Sequence, residues 1–317
     1  MDLSSRAREA GPESATSAAP EASHDTGSEL TGSDVAARSD VGVRRSINQD
    51  RCGDFEAAAG TRLFVVADGM GGHQGGEVAA QIVIEACAEH LGRSSEPLDA
   101  LAASMLTLAS TRILERSEEE SSLHGMGSTG TLLLLDRHGA GCVGHVGDSR
   151  AYRIRGDQIE ALTEDHSLVA SMVRAYQLDP VEAEEHPRRN ELVRSLGVDR
   201  DVEVDVRGFA VEPGDRFLLC SDGLWGQVSD AEMLEIVTSR APEEATQALV
   251  DLANARGGPD NVTVQIVVPH VRARALQPST PDAGVQPREG TPPWPRVGAT
   301  LIALTLVLGV VALLWLG

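Results

Sequence analysis

The chain has 317 residues, 41% hydrophobic and only 3% aromatic, with a formal net charge of −21. That length allows one large core or two domains with tails, packed mainly by Leu, Val, Ile and Ala. The acidic balance excludes a nucleic-acid binder or nuclease, whose affinity rests on Lys and Arg at phosphates, and it suits cation binding.

Residues 1–34 are rich in Ser, Ala, Gly, Glu and Thr and lack an apolar core, so they read as a disordered N-terminal tail without a secretory signal. Residues 35–270 carry periodic patterns throughout and form the expected folded domain. Strand-length apolar runs lie at Leu63–Ala67, Leu132–Leu135, Gly141–Val146, Phe217–Cys220 and Val262–Val268. Helical patterns fill Glu77–Leu91, Leu98–Glu115, Ala231–Thr238 and Glu243–Ala255. Hairpin-like spacing in GCVGHVGDSRAYRIRGDQIEAL points to largely antiparallel sheets covered by helices, not to a strict βαβ repeat. Residues 271–296 are a Pro-rich linker. Residues 297–317 are uncharged, and Val297 to Leu316 would span roughly 30 Å as a helix, the thickness of a bilayer core. Arg272, Arg274, Arg288 and Arg296 precede this run, and Trp294 and Trp315 flank it. The reading is a transmembrane helix that holds the rest at the cytoplasmic membrane face.

Cys52, Cys87, Cys142 and Cys220 are far apart and form no CxxC pair. They read as reduced thiols, not as a disulfide frame or a zinc site. Four aspartates draw more attention. Asp68 ends the run LFVVA, Asp148 follows CVGHVG, Asp222 follows RFLLCS, and Asp260 opens NVTVQIVV. In antiparallel sheets the exit of one strand lies beside the entry of its neighbour, so all four can meet at one edge. Gathered carboxylates repel one another unless a divalent cation sits among them. A set of oxygen donors without a His or Cys cluster fits Mg²⁺ or Mn²⁺ better than zinc.

These stretches carry a family resemblance. RSINQD (Arg45–Asp50), VVADGMGGH (Val65–His73), GSTG (Gly127–Gly130), VGDSRAY (Val146–Tyr152), LTEDHS (Leu162–Ser167), HPRRN (His186–Asn190), LLCSDGL (Leu218–Leu224) and GGPDNVT (Gly257–Thr263) occur in the order of the bacterial protein phosphatase 2C family, which the chain resembles over roughly residues 36–268. The resemblance implies an α+β fold, a four-layer α-β-β-α sandwich of two mainly antiparallel sheets flanked by helices. It also implies a two-metal centre of Mn²⁺ or Mg²⁺. Asp68 would bridge both ions, Asp222 and Asp260 would bind the first, and the Gly69 carbonyl the second. Asp148 would serve a third, weaker ion together with Asp222. Arg45 would hold the substrate phosphate, and Asp50 would orient the attacking water.

The activity so implied is metal-dependent hydrolysis of phosphoserine and phosphothreonine esters by water activated between the two ions. The implied partners are phosphoproteins, among them membrane-linked serine/threonine kinases. A weak or inactive phosphoprotein-binding module of the same fold is the alternative. The chain departs from the family pattern at Gln49, where many members have Glu, and at Met70, where eukaryotic members have His. His73 is read as lining the loop, His166 as capping or orienting the helix after it, and His145 as packed or hydrogen-bonded. Residues 168–195 are expected to form a flap beside the site.

Overall fold

The computed structural model describes residues 28–273, His73 and Glu185 excepted. Eleven strands and seven helices follow in chain order: β1 (Ser28–Asp40), β2 (Asp50–Glu56), β3 (Arg62–Met70), α1 (Gly75–Leu91), α2 (Leu98–Glu119), β4 (Gly127–Ser128), β5 (Gly130–Leu135), β6 (Ala140–Val146), β7 (Arg150–Arg155), β8 (Gln158–Ala161), α3 (Leu168–Arg174), α4 (Pro180–Glu184), β9 (Asp205–Ala210), β10 (Arg216–Cys220), α5 (Asp222–Trp225), α6 (Asp230–Ser239), α7 (Pro242–Ala255) and β11 (Val262–Ala273). One sheet runs β1-β11-β10-β7-β8. The other runs β2-β3-β5-β6-β9, with β4 paired to β3. Every pairing in both sheets is antiparallel.

The central strands read as unbroken apolar runs because both of their faces are covered. Along β3, Leu63, Val65 and Ala67 pack with α1 and α2, while Phe64 and Val66 face the opposite sheet. β5 divides in the same way, Leu132 and Leu134 to the helices, Leu133 and Leu135 to the sheet interface. In β10, Leu218 and Cys220 meet residues of α6 and α7, and Phe217 and Leu219 meet the other sheet. The three clusters define four layers, helix, sheet, sheet, helix, which is the sandwich expected from the sequence. The second helical layer starts on strong local signals. A capping box joins Ser229 and Glu232 at α6, and Pro242 opens α7.

The structured region extends past both expected boundaries. β1 begins at Ser28, inside the segment read as a tail, and β11 runs to Ala273, past the expected start of the linker. β1 is an edge strand in which Ala36 is the one buried hydrophobic residue among those described. Its sequence SELTGSDVAARSD therefore has no apolar alternation to reveal it, and the ladder to β11 holds it in place. Among the described residues no helix is long and apolar enough to cross a membrane. The segments 1–27 and 274–317, which include most of the expected linker and the whole expected span, lie outside the described residues.

Candidate metal centre

Topology gathers the carboxylates. Cys220, at the end of β10, pairs with Arg150 at the start of β7 and with Val264 near the start of β11. Asp222 follows that strand end, and Asp148 and Asp260 precede the two strand starts, so all three reach one edge of the first sheet. In the other sheet Asp68 pairs directly with Asp50 across β3 and β2. Asp68, Gly69, Asp148, Asp222, Asp260 and Arg45 line one cleft of about 470 Å³. Asp50 lies behind it, 1% exposed.

The cluster is electrostatically strained without a counter-ion. Burial, then the charges of Asp50, Asp222, Asp148 and Asp260, pushes the Asp68 carboxyl well above the usual range. Asp222 is pushed up in the same way, by burial and then by Asp148, Asp260 and Asp50. Asp148 moves up to about 7, through burial first and the nearby Asp165 next. Burial also raises Asp50, against the pull of its hydrogen bond from Ser221. Two buried carboxylate oxygens, Asp222 Oδ1 and Asp50 Oδ1, have no hydrogen-bond partner. Buried acceptors of this kind are costly unless something pairs with them.

An all-oxygen donor set with unpaired carboxylate oxygens fits a hard divalent cation. Among the described residues, no three His, Cys, Asp or Glu side chains already stand in a ready coordination shell. Repulsion between like charges opposes such an arrangement, and Asp260 is turned onto Arg45, whose Nη2 lies 2.7 Å from its Oδ2.

Neighbouring polar groups fix the backbone around these aspartates. The Asp68 N–H donates to Thr129 Oγ1 at 2.9 Å, and its carbonyl accepts from Ser128 Oγ at 3.0 Å and from the Thr129 N–H at 2.8 Å. Ser221 Oγ donates to Asp50 Oδ2 at 2.6 Å and accepts from the Thr263 N–H at 3.0 Å. Asn261 accepts from the Gln49 N–H at 2.8 Å and donates to the carbonyls of Val41 and Ile47 at 2.9 and 3.0 Å. It thereby ties the loop that carries Arg45 to the loop that carries Asp260. The sequence reading assigned no role to Ser128, Thr129, Ser221 or Asn261, although all four stand inside the GSTG, SDGL and GPDN motifs. Gly69 is required sterically, because a Cβ there would lie 1.9 Å from the Gly76 carbonyl oxygen at the start of α1.

The remaining expectations divide. Met70 lines the cleft, and His73 lies outside the described residues. His166 does not cap α3. Ser167 does, accepting from the Ala170 N–H. His166 Nδ1 instead accepts from the Gly147 N–H at 3.0 Å, which leaves Nε2 to donate to Asp205 Oδ2 at 3.2 Å. It secures the turn that holds Asp148. His145 is buried, hydrogen-bonded to Thr131 Oγ1 and the Glu164 carbonyl, and burial lowers it to about 3. Residues 168–195 do border the cleft, through Asn190, Leu192, Val193, Arg194 and Ser195. The Cys220 thiol is buried and pushed up to about 12.

A family profile described as protein phosphatase 2C matches residues 42–256. The chain belongs to the protein phosphatase 2C family. The matched stretch stops short of Asp260, whose place in the cleft rests on the structure. Over 233 residues the chain is 40% identical to the serine/threonine protein phosphatase PstP of Mycobacterium tuberculosis, covering 73% of this chain and 44% of that one. It thus spans less than half the length of that relative. It is 36% identical over 236 residues to the serine/threonine phosphatase stp of Listeria innocua, covering 73% of this chain and 93% of stp. The crystal structure of the catalytic domain of PstP in complex with 2 manganese ions superposes with a TM-score of 0.67 at 36% identity, covering 75% of this chain and 98% of that one.

Proposed function

We propose that this protein phosphatase 2C member is a metal-dependent protein serine/threonine phosphatase. The observation that carries this reading is the convergence of Asp68, Asp148, Asp222 and Asp260 with Arg45 on one cleft, with unpaired carboxylate oxygen at its edge. Asp68, Asp222, Asp260 and the Gly69 carbonyl would hold two Mn²⁺ or Mg²⁺ ions, and Asp148 a third with Asp222. When bound, such ions act as Lewis acids on the phosphoryl group and make water a nucleophile at neutral pH.

The protein's own groups do the rest. Arg45 is half exposed and presents a planar fork that matches two phosphate oxygens once it leaves Asp260. Asp50 keeps Oδ1 free of protein donors, so it can accept a hydrogen bond from water and orient it. The P–O bond to the serine or threonine oxygen breaks, the new P–O bond comes from water, and the products are inorganic phosphate and the free hydroxyl. A cysteinyl-phosphate route is excluded for Cys87, Cys142 and Cys220, since burial pushes each thiol up to about 12 and the nucleophile is the thiolate.

The substrates we propose are phosphoserine and phosphothreonine proteins, with serine/threonine kinases as natural counterparts. The uncharged stretch 297–317, with four arginines before it, supports a single membrane span that keeps the catalytic domain cytoplasmic.

The full chain is expected to hydrolyse p-nitrophenyl phosphate only with added Mn²⁺ or Mg²⁺. Asp222→Asn should lower kcat by about a hundredfold or more while the cooperative melt is kept. Retention of most turnover would remove Asp222 from the centre. A folded wild-type chain without metal-dependent hydrolysis would leave the phosphoprotein-binding module as the better reading.

A further inference from the structure

The cleft is continuous with a second, larger groove of about 750 Å³, and Arg45, Asn190, Asp222 and Asp260 line both. The groove runs between α3 and the segment that holds α5. Its lining includes Val169, Ala170 and Val173 from α3 and the Trp225 ring. Trp225 is held rigidly. Its indole N–H donates to the Asp148 carbonyl at 2.9 Å, and the Arg150 guanidinium stacks on its ring at 3.7 Å. Arg150 is itself locked to Asp165 by two hydrogen bonds of 2.9 and 2.8 Å. An apolar wall fixed in this way is preorganised for a ligand.

The charges along the groove are unequal in what they leave free. Arg45 and Arg150 are committed to Asp260 and Asp165. Arg174 is 46% exposed, donates from Nη1 to the Asp165 carbonyl at 3.1 Å and meets Glu164 only at 3.8 Å, which leaves its second terminal nitrogen open to a ligand. Arg189 is exposed and makes no ion pair with any residue whose side chain is described. Of the four carboxylates in the lining, Asp260 and Asp165 are paired with Arg45 and Arg150, Asp222 belongs to the centre, and Glu164 is the exposed one. The groove's lining balances four arginines against four carboxylates, so in a chain of net charge −21 it is less acidic than the rest, and Arg189 is the cation it leaves without an ion pair among the described side chains.

We propose that the groove seats the substrate residues next to the phosphorylated serine or threonine and selects an acidic flank. An apolar side chain would lie against Trp225 and Val173, and a carboxylate would reach Arg189 and Arg174. This rests on the phosphatase reading for the neighbouring cleft. The groove volume lies in the range of sites for drug-sized ligands, roughly 300–1,000 Å³, which matches a short peptide segment and not a folded partner.

The test uses the full chain with Mn²⁺ and peptides that carry a non-hydrolysable phosphonate in place of phosphoserine, flanked by acidic, neutral or basic residues. Binding is read by fluorescence anisotropy, so it does not depend on turnover, and wild-type hydrolysis of p-nitrophenyl phosphate is measured in parallel. The acidic-flanked peptide is expected to bind about three- to tenfold more tightly than the basic-flanked one, the scale of one or two exposed ion pairs. The margin should shrink on adding salt. Arg174→Glu/Arg189→Glu is expected to reverse the order of the two peptides, a result that misfolding cannot produce. Equal affinities in the wild type, tighter binding of the basic-flanked peptide, or the same order in the double variant would overturn the proposal. Binding of the phosphonate amino acid alone as tightly as any peptide would overturn it too. An acidic preference without p-nitrophenyl phosphate hydrolysis would uphold the groove and sink only the phosphatase reading.

Discussion

At the scale of single residues, burial and mutual repulsion drive Asp68, Asp148 and Asp222 of the centre toward protonation. In the unfolded chain they titrate near 3.8, whereas folded Asp148 moves up to about 7, and Asp68 and Asp222 move up as well. Between these limits the folded state binds more protons than the unfolded one. The cluster's contribution to stability is therefore intact below the unfolded value and is lost as pH rises toward 7. Divalent cations compete with those protons, so they stabilise most where the carboxylates are ionised. Added Mn²⁺ should raise Tm by about 5 °C at pH 8 and by little at pH 5, read by calorimetry. Buried neutral His145 and His166 weaken the fold at low pH, but they do so with and without metal and cancel in the difference. An equal gain at both pH values would show that the ion binds elsewhere. The aspartates were legible in the sequence because three follow the end of an apolar run and the fourth, Asp260, stands just before one. The groups that orient them were not. Thr129 reaches the Asp68 N–H across 61 positions of chain, and no local pattern encodes such a bond.

At the scale of elements, the loop between β1 and β2 carries Arg45, and it is held from outside. Asn261, only 5% exposed, satisfies two carbonyls and one N–H of that loop. Removing its amide takes a partner from three part-buried backbone groups, and the usual net worth of such a hydrogen bond is about 1 kcal/mol each. Asn261→Ala is expected to destabilise by about 3 kcal/mol in urea unfolding. It should also raise the inhibition constant of inorganic phosphate severalfold, because Arg45 loses its seat. A lower midpoint with unchanged phosphate inhibition would separate the loop's anchoring from phosphate binding. Strands buried on both faces, such as β3, β5 and β10, were legible as apolar runs. β1 and β9 were not, since both lie at sheet edges and β9 shows four exposed residues in a row, Asp205 to Gly208. Short α3 and α4 follow no helical period long enough to stand out, so only the region as a flap was anticipated.

For the whole molecule, charge and apolar content are distributed unevenly along the chain. The described part is strongly acidic on its surface and contains no helix that could cross a bilayer, whereas 297–317 holds no charged side chain. The proposed span would carry no charge into hydrocarbon, and a helical backbone there would leave no orphaned polar groups. The site itself draws on residues 45 to 260, all in one compact unit, and the hydrogen bonds that set its loops join residues 41 to 263. Tethering and catalysis should therefore separate cleanly. Deletion of residues 297–317 is expected to move the protein from the membrane pellet to the supernatant on ultracentrifugation, with kcat/KM for p-nitrophenyl phosphate within about twofold of the full chain in detergent, since surface changes away from a site shift energies by only about 0.5 kcal/mol. Activity toward a membrane-embedded phosphoprotein in vesicles should fall much further, because the proposed tether would raise the local concentration of enzyme at that surface. Continued pelleting of the deleted form in high salt would place the membrane attachment in another part of the chain.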